Sequence, residues 1–110
     1  MKSNNLYPIF LKLDQIQTLI VGGGNIGLEK VQFILRQSPN ATIKVVSKEF
    51  NGEIIRLAIE NNNVRIVERE FIKEDLEGVK IVIVATNNEQ TNARILEQAH
   101  SKNILTNVVD

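Results

Sequence analysis

The sequence contains no cysteine and only one histidine, His100, among its 110 residues. Without cysteine the chain can form neither a disulfide framework nor a thiolate metal site, and it offers no thiol nucleophile. A single histidine likewise excludes a histidine-rich metal centre. We therefore predict that this chain holds no metal.

An excess of charge of one sign is also lacking, since thirteen basic residues balance thirteen acidic ones. No net field draws the chain to nucleic acid or to anionic lipid, so we predict neither as a partner. No apolar run approaches the roughly 20 residues that a membrane span needs. The first residues lack the apolar core and cleavage site of a secretory signal. We expect a soluble, cytoplasmic protein.

Internal repeats, low-complexity stretches and linkers rich in proline, glycine or serine are absent as well. Nothing in the composition therefore marks a boundary between domains. A chain of this length is sufficient for one core of sheet and helices. We predict a single domain over 1–110.

Short β-branched runs alternate with segments of helical periodicity along the chain. The pattern predicts strands over 18–21, 41–47, 64–68, 79–85 and 104–109, helices over 25–37, 51–62 and 90–101, an extended lead-in over 6–13 and a short helical turn over 73–76. Such alternation indicates a parallel sheet with right-handed crossovers. We predict an α/β fold, a Rossmann-type doubly wound parallel sheet of about five strands in the order 3-2-1-4-5.

The ligand of a doubly wound sheet lies outside the carboxyl ends of its strands, where the strand order reverses. Four loops are expected to converge there: 22–27, 47–49, 85–88 and 107–110. The functional residues should therefore lie in these loops.

The first of these loops contains Gly22, Gly24 and Gly27, which match G-x-G-x-x-G between a predicted strand and a predicted helix. The first glycine permits a tight turn, the second lets a pyrophosphate approach the backbone, and the third lets helix and strand pack closely. Backbone N–H groups around Asn25 and Ile26 would meet the phosphates at the helix N-terminus. Together with Gly23 this loop predicts a dinucleotide site. The alternative is a tight turn that binds nothing.

Strand two should end near an acidic residue if the loop holds NAD through its ribose hydroxyls. Glu49 follows Gly27 by about 20 residues, as the motif requires. Ser47 can hydrogen-bond a ribose oxygen, and Lys48 can approach a 2′-phosphate. An ordinary polar loop is an equal alternative, and these residues alone do not decide between NAD and NADP.

The loop after the most apolar strand offers Thr86 and Asn88 beside small Ala85. Small residues there leave room for a cofactor, which the two polar side chains could hydrogen-bond. They could equally cap the next helix, since asparagine is a favoured N-cap residue. The two roles are compatible.

Asp110 follows the predicted fifth strand, at the edge where a substrate would meet a nicotinamide. It is either a general base or merely a terminal residue, and its position alone favours the second. His100, late on the last predicted helix, is expected to be solvated rather than catalytic.

Four segments together resemble one known family, the N-terminal NAD-binding domain of siroheme synthase and the precorrin-2 dehydrogenases. They are the lead-in YPIFLKL from Tyr7, the LIVGGG turn with Lys30 after it, and ATNN from Ala85 followed by Asn92 and a closing NVVD. The resemblance runs from Tyr7 to Asp110, nearly the whole chain.

The resemblance implies oxidation of the tetrapyrrole precorrin-2 to sirohydrochlorin, with hydride transfer to NAD as cofactor. The family's aspartate that closes NVVD falls on Asp110, which the resemblance makes a catalytic acid/base and, in bifunctional members, a residue of ferrochelatase chemistry. The family's cofactor contacts fall on Asn25, Ile26, Lys48 and Glu49.

Family members continue past this aspartate into a dimerisation segment and a helical domain. We therefore expect the chain to be a fragment of a homodimeric enzyme that binds little substrate unaided. The rival hypotheses are a non-catalytic module that senses NAD(H) or another adenine nucleotide, and a Rossmann-like domain that has lost its ligand.

Overall fold

The computed structural model describes residues 11–109; residues 1–10, which include most of the predicted lead-in, and Asp110 lie outside the described part. Five strands alternate with three α-helices and two short 3-10 turns. In chain order they are a 3-10 turn at Leu13–Gln15, β1 (Gln17–Val21), α1 (Asn25–Gln37), β2 (Thr42–Ser47), α2 (Gly52–Glu60), β3 (Val64–Glu68), a 3-10 turn at Lys73–Leu76, β4 (Val79–Val84), α3 (Glu89–Ser101) and β5 (Leu105–Val108).

The five strands form one sheet in the order β3-β2-β1-β4-β5, and every neighbouring pair is parallel. The predicted fold and strand order are therefore confirmed. β1 is the central strand, with β2 on one side and β4 on the other, so the strand order reverses between β1 and β4. The carboxyl ends of these two strands mark the switch point at which ligands bind in such sheets.

Apolar side chains cover both faces of the sheet. Along β1, Leu19 and Val21 belong to one buried cluster and Ile20 to the other, because successive strand residues point to opposite faces. The first cluster includes Phe71, Leu76 and Ile95, and the second includes Val31, Ile34 and Ile54. The chain thus packs α3 and the second 3-10 turn on one face and α1 and α2 on the other.

Most predicted boundaries lie within one residue of those observed, and two places need a comment. Leu13, the last residue of the predicted extended lead-in, begins a 3-10 turn at Leu13–Gln15. The second helix ends at Glu60, because the backbone and side-chain N–H groups of Asn61 both donate to the Leu57 carbonyl and terminate it. In the described part of the chain, no helix is both long enough and apolar enough to span a bilayer.

Candidate dinucleotide site

The glycine turn between β1 and α1 is held tightly by the protein itself at three positions. Gly22 has a φ of 124°, a left-handed conformation that favours glycine. A Cβ on Gly22 would collide with the Ala85 carbonyl, and one on Gly27 would collide with the carbonyl of Gly22. A Cβ on Gly23 would meet the Glu49 carbonyl and the Phe50 ring. Close backbone packing therefore explains these three glycines without a ligand.

Gly24 differs from the other three glycines. A Cβ on this residue would meet no protein atom within 4 Å, and its φ of −88° is accessible to any residue. The fold itself gives no steric reason for a glycine here. A bare backbone facing open space is what the middle glycine of a dinucleotide motif provides for an approaching pyrophosphate.

The helix that follows the turn begins without a side-chain cap. Gly24 is the N-cap residue of α1, and it has no side chain that could accept a hydrogen bond from the first backbone amides. The first turn of the helix carries no acidic residue. In contrast, the Asn51 side chain accepts from the Glu53 amide at the start of α2, and Asn88 accepts from the Thr91 amide at the start of α3. The backbone amides at the N-terminus of α1 therefore have no capping acceptor. Together with the positive end of the helix dipole, they can bind an anion.

The loop after β2 is joined to the glycine turn by hydrogen bonds. The Gly22 amide donates to the Val46 carbonyl at 3.0 Å, and the Asn51 amide donates to the Gly23 carbonyl at 2.6 Å. The Asn51 side-chain amide also donates to Asn25 Oδ1 at 2.8 Å. These contacts bring the predicted residues Ser47, Lys48 and Glu49 to the same cleft as the turn.

The loop after β4 forms the other side of the switch point. The Ala85 amide donates to the Val21 carbonyl at 2.8 Å, which ties this loop to the end of β1. The Thr86 hydroxyl donates to Asn92 Oδ1 and accepts the Asn88 amide at 3.2 Å. Asn92 also donates to the Thr86 carbonyl at 3.1 Å. The predicted capping role of Asn88 is thus observed, and Thr86 uses its hydroxyl to shape the loop.

These loops enclose a cleft of about 900 Å³. Such a volume is typical of a small-molecule or cofactor site. Its lining includes all of the predicted glycine-turn residues except Gly27, which lies beneath the turn, together with Ser47, Lys48, Glu49 and the loop 85–88. Three of the four predicted loops therefore meet.

Within the described residues, the fourth predicted loop does not line the cleft. Asn107–Val109 are absent from the lining, although the Val109 amide donates to the Val84 carbonyl at 2.9 Å. β5 lies one strand beyond β4, so its end is displaced from the switch point. Asp110, the predicted catalytic residue, lies outside the described residues. His100 is exposed near the end of α3, away from the cleft.

Several lining residues were not predicted. Glu70 and Phe71 come from the segment after β3, whereas Thr91 and Arg94 come from α3. The spacing of Asn88, Thr91 and Arg94 places them along one face of the helix, and this periodicity is visible in the sequence. No signal in the sequence indicates that the segment after β3 reaches the cleft.

That segment is fixed by a buried carboxylate, Asp75, which is 1% exposed. Arg69 donates to both Asp75 oxygens at 2.9 and 2.8 Å, the Ile72 amide donates at 2.9 Å, and Lys44 Nζ lies 3.2 Å away. Burial of the carboxyl raises its pKa, but the bonds from Arg69, Ile72 and Lys44 lower it more, so the pKa of Asp75 falls to about 2. The ion pairs therefore anchor residues 69–75 against β2.

A family model described as "Putative NAD(P)-binding" matches residues 9–110. The match covers the glycine turn, the loops after β2 and β4, and all five strands. The chain belongs to this NAD(P)-binding family. Among residues 11–109, no group of three or more potential metal ligands comes together.

Curated relatives are siroheme synthases. The chain is 40% identical over 102 residues to that of Psychromonas ingrahamii, a match covering 93% of this chain and 21% of the relative. It is 39% identical over 103 residues to that of Pseudoalteromonas translucida, covering 94% and 21%. Among solved structures, SirC, a precorrin-2 dehydrogenase, matches with a TM-score of 0.77 and 28% identity, covering 93% of this chain and 48% of that one.

The resemblance predicted from the motifs is thus confirmed. The chain spans about a fifth of the length of the siroheme synthases that it matches. Its relatives act in siroheme biosynthesis and include an oxidoreductase.

Proposed function

We propose that this chain is the cofactor domain of an NAD-dependent precorrin-2 dehydrogenase, which oxidises precorrin-2 to sirohydrochlorin in siroheme biosynthesis. The observation that carries the proposal is the turn at Gly24, whose bare backbone faces open space beside an uncapped helix N-terminus. The similarity to siroheme synthases and to SirC supports the choice of substrate. The domain 1–110 is proposed to act as one unit.

The glycine turn holds the pyrophosphate of NAD in this proposal. The free amides at the start of α1, from Asn25 and Ile26, donate to phosphate oxygens, and the helix dipole favours the negative charge. Gly22 and Gly23 shape the turn, and Gly24 allows close approach. Asn51 keeps the Asn25 side chain in place through its 2.8 Å hydrogen bond.

The loop after β2 holds the adenosine ribose. Glu49 accepts hydrogen bonds from the ribose hydroxyls, Ser47 contacts a ribose oxygen, and Lys48 lies on the same edge. A carboxylate at this position repels a 2′-phosphate, so NAD is preferred to NADP. Thr86 holds the β4–α3 loop against which the cofactor lies.

The bound nicotinamide supplies the redox chemistry by accepting a hydride from the tetrapyrrole. Asp110 takes the proton that the substrate loses alongside that hydride, so it acts as the general base. The amide of Val109, the residue before it, donates to the Val84 carbonyl at the end of β4 at 2.9 Å. In a bifunctional enzyme, the same carboxylate would remove pyrrole protons before iron insertion, and the working unit would be a homodimer.

A chimeric enzyme tests this proposal. The chain replaces the matching segment of the Psychromonas ingrahamii siroheme synthase, and NADH formation from precorrin-2 and NAD is followed by absorbance. We expect turnover in the chimera and loss of turnover, with unchanged NAD affinity, in its Asp110→Asn variant.

A folded chimera that binds NAD without oxidising precorrin-2 would contradict the enzyme proposal and favour a nucleotide-sensing module. Equal turnover with Asp110→Asn would remove the proposed role of that carboxylate. Circular dichroism and NAD titration of each protein establish that both variants are folded and loaded.

A further inference from the structure

The end of the cleft beside β3 contains two residues that no dinucleotide motif includes, Glu70 and Phe71. Both line the cleft, Phe71 is 6% exposed, and its ring belongs to the core cluster that contains Ile95 of α3. Glu70 is exposed. This end of the cleft therefore combines an apolar floor with a carboxylate.

The Glu70–Phe71 segment is held in place on both sides. Arg69 donates to the Glu70 carbonyl at 3.0 Å while also binding Asp75, and the Ile72 amide donates to the same carboxylate at 2.9 Å. Asp75 in turn contacts Lys44 on β2. Because the flanking residues are already fixed, a ligand that contacts Glu70 and Phe71 orders little additional backbone.

Two charged side chains of the cleft lining are available to a ligand. Glu70, at the end beside β3, and Arg94, from α3, have opposite charges. Within residues 11–109, no ion pair involves either side chain, and the only hydrogen bond recorded at Glu70 uses its backbone carbonyl.

The strand order identifies which half of a dinucleotide would reach these residues. The pyrophosphate site lies at β1 and the ribose-binding acid follows β2, so the adenosine half extends from β1 toward β3. The segment after β3 lies beyond the ribose site in that direction. The group that follows the ribose is the base.

We propose that Glu70 and Phe71 form an adenine-recognition subsite, in which the Glu70 carboxylate accepts a hydrogen bond from the exocyclic amino group of adenine and Phe71 supports the ring. The inference rests on the proposed dinucleotide function and adds a base specificity to it. A carboxylate is acceptor only and cannot bond a carbonyl oxygen at the same position of the base. The subsite therefore rejects hypoxanthine.

Calorimetric titration of the full chain with NAD and with deamino-NAD, in which hypoxanthine replaces adenine, tests the subsite. We expect NAD to bind about tenfold more tightly, because deamino-NAD leaves the carboxylate facing another acceptor. Glu70→Gln should bring the affinity ratio close to one, since a carboxamide can donate to the hypoxanthine oxygen as well as accept from adenine.

Glu77→Gln is the matched control, because it removes the same charge from an exposed position that does not line the cleft. It should keep the wild-type ratio. Equal binding of NAD and deamino-NAD by the wild type, or an unchanged ratio in Glu70→Gln, would overturn the subsite while leaving the dinucleotide function intact. Failure of the wild type to bind either dinucleotide would overturn the proposed function and the subsite with it.

Discussion

Asp75 shows how a single buried residue supports the site without touching a ligand. Its carboxylate has a pKa of about 2 against an ordinary value of 3.8. A carboxyl with a lowered pKa in the folded state contributes stability above the unfolded-state pKa. This stability is lost as the pH falls toward the folded-state value. The relevant window is therefore between about pH 4 and pH 2.

Asp75→Asn should lower the free energy of unfolding by about 2 kcal/mol at pH 7, which corresponds to the shift in pKa. The same substitution should reduce the dependence of stability on pH within that window, because it removes a group that titrates there. Urea unfolding at pH 7 and at pH 2.5 measures both effects.

Asp14→Asn provides the control, since Asp14 is exposed in the first 3-10 turn and has no recorded ion pair in the described part of the chain. Its stability should follow that of the wild type at both pH values. Equal stability of Asp75→Asn and wild type at pH 7 would show that the ion pairs and hydrogen bonds of Asp75 contribute no net free energy of unfolding.

At the scale of elements, the three α-helices begin in two different ways. Asparagine side chains cap α2 and α3, whereas α1 begins at a glycine with no side-chain cap. Asn51 has a double role, because it caps α2 and also donates to the Asn25 side chain at the start of α1. The start of one helix thus positions the start of another.

Asn51→Ala should cost about 1 kcal/mol of stability through loss of the cap. Asn51→Asp keeps a capping oxygen and should remain close to wild type in stability. Both variants lose the donor to Asn25, so the affinity for NAD should fall in both. Thermal unfolding and calorimetric titration separate the two effects, and an Asn51→Asp variant as unstable as Asn51→Ala would contradict the capping role.

The elements were largely predictable from the sequence because each strand is a β-branched run and each helix carries an apolar stripe. The second helix was predicted to end two residues too late, since the Asn61 side chain terminates it through a bond to the Leu57 carbonyl. Such a bond depends on the rotamer of one asparagine and leaves no periodic signal.

At the scale of the whole molecule, the strand order determined most of the site. Parallel strands bring their carboxyl ends to one edge, so the loops after β1, β2 and β4 could be assigned to a common cleft before the structure was known. Glu70 and Phe71 were missed because their approach depends on Asp75, which pairs with nearby Arg69 and also with Lys44, 31 residues away in sequence. Long-range pairs of this kind cannot be deduced from spacing.

The whole account depends on an anion site at the start of α1, and Gly24 is where it can be tested without disturbing the fold. Gly24→Asp and Gly24→Asn both fit the extended backbone of an N-cap residue, and each supplies a capping oxygen, so neither should lose stability. The two side chains have nearly the same size but differ in charge. Only the aspartate therefore adds a negative charge where the pyrophosphate would lie.

Calorimetric titration of NAD into wild type, Gly24→Asp and Gly24→Asn is the most direct measurement. We predict measurable binding to the wild type, weaker binding to Gly24→Asn, and a loss of about 100-fold in Gly24→Asp, with unfolding temperatures preserved throughout. Wild-type affinity in the folded Gly24→Asp variant would show that the phosphates do not lie at this turn.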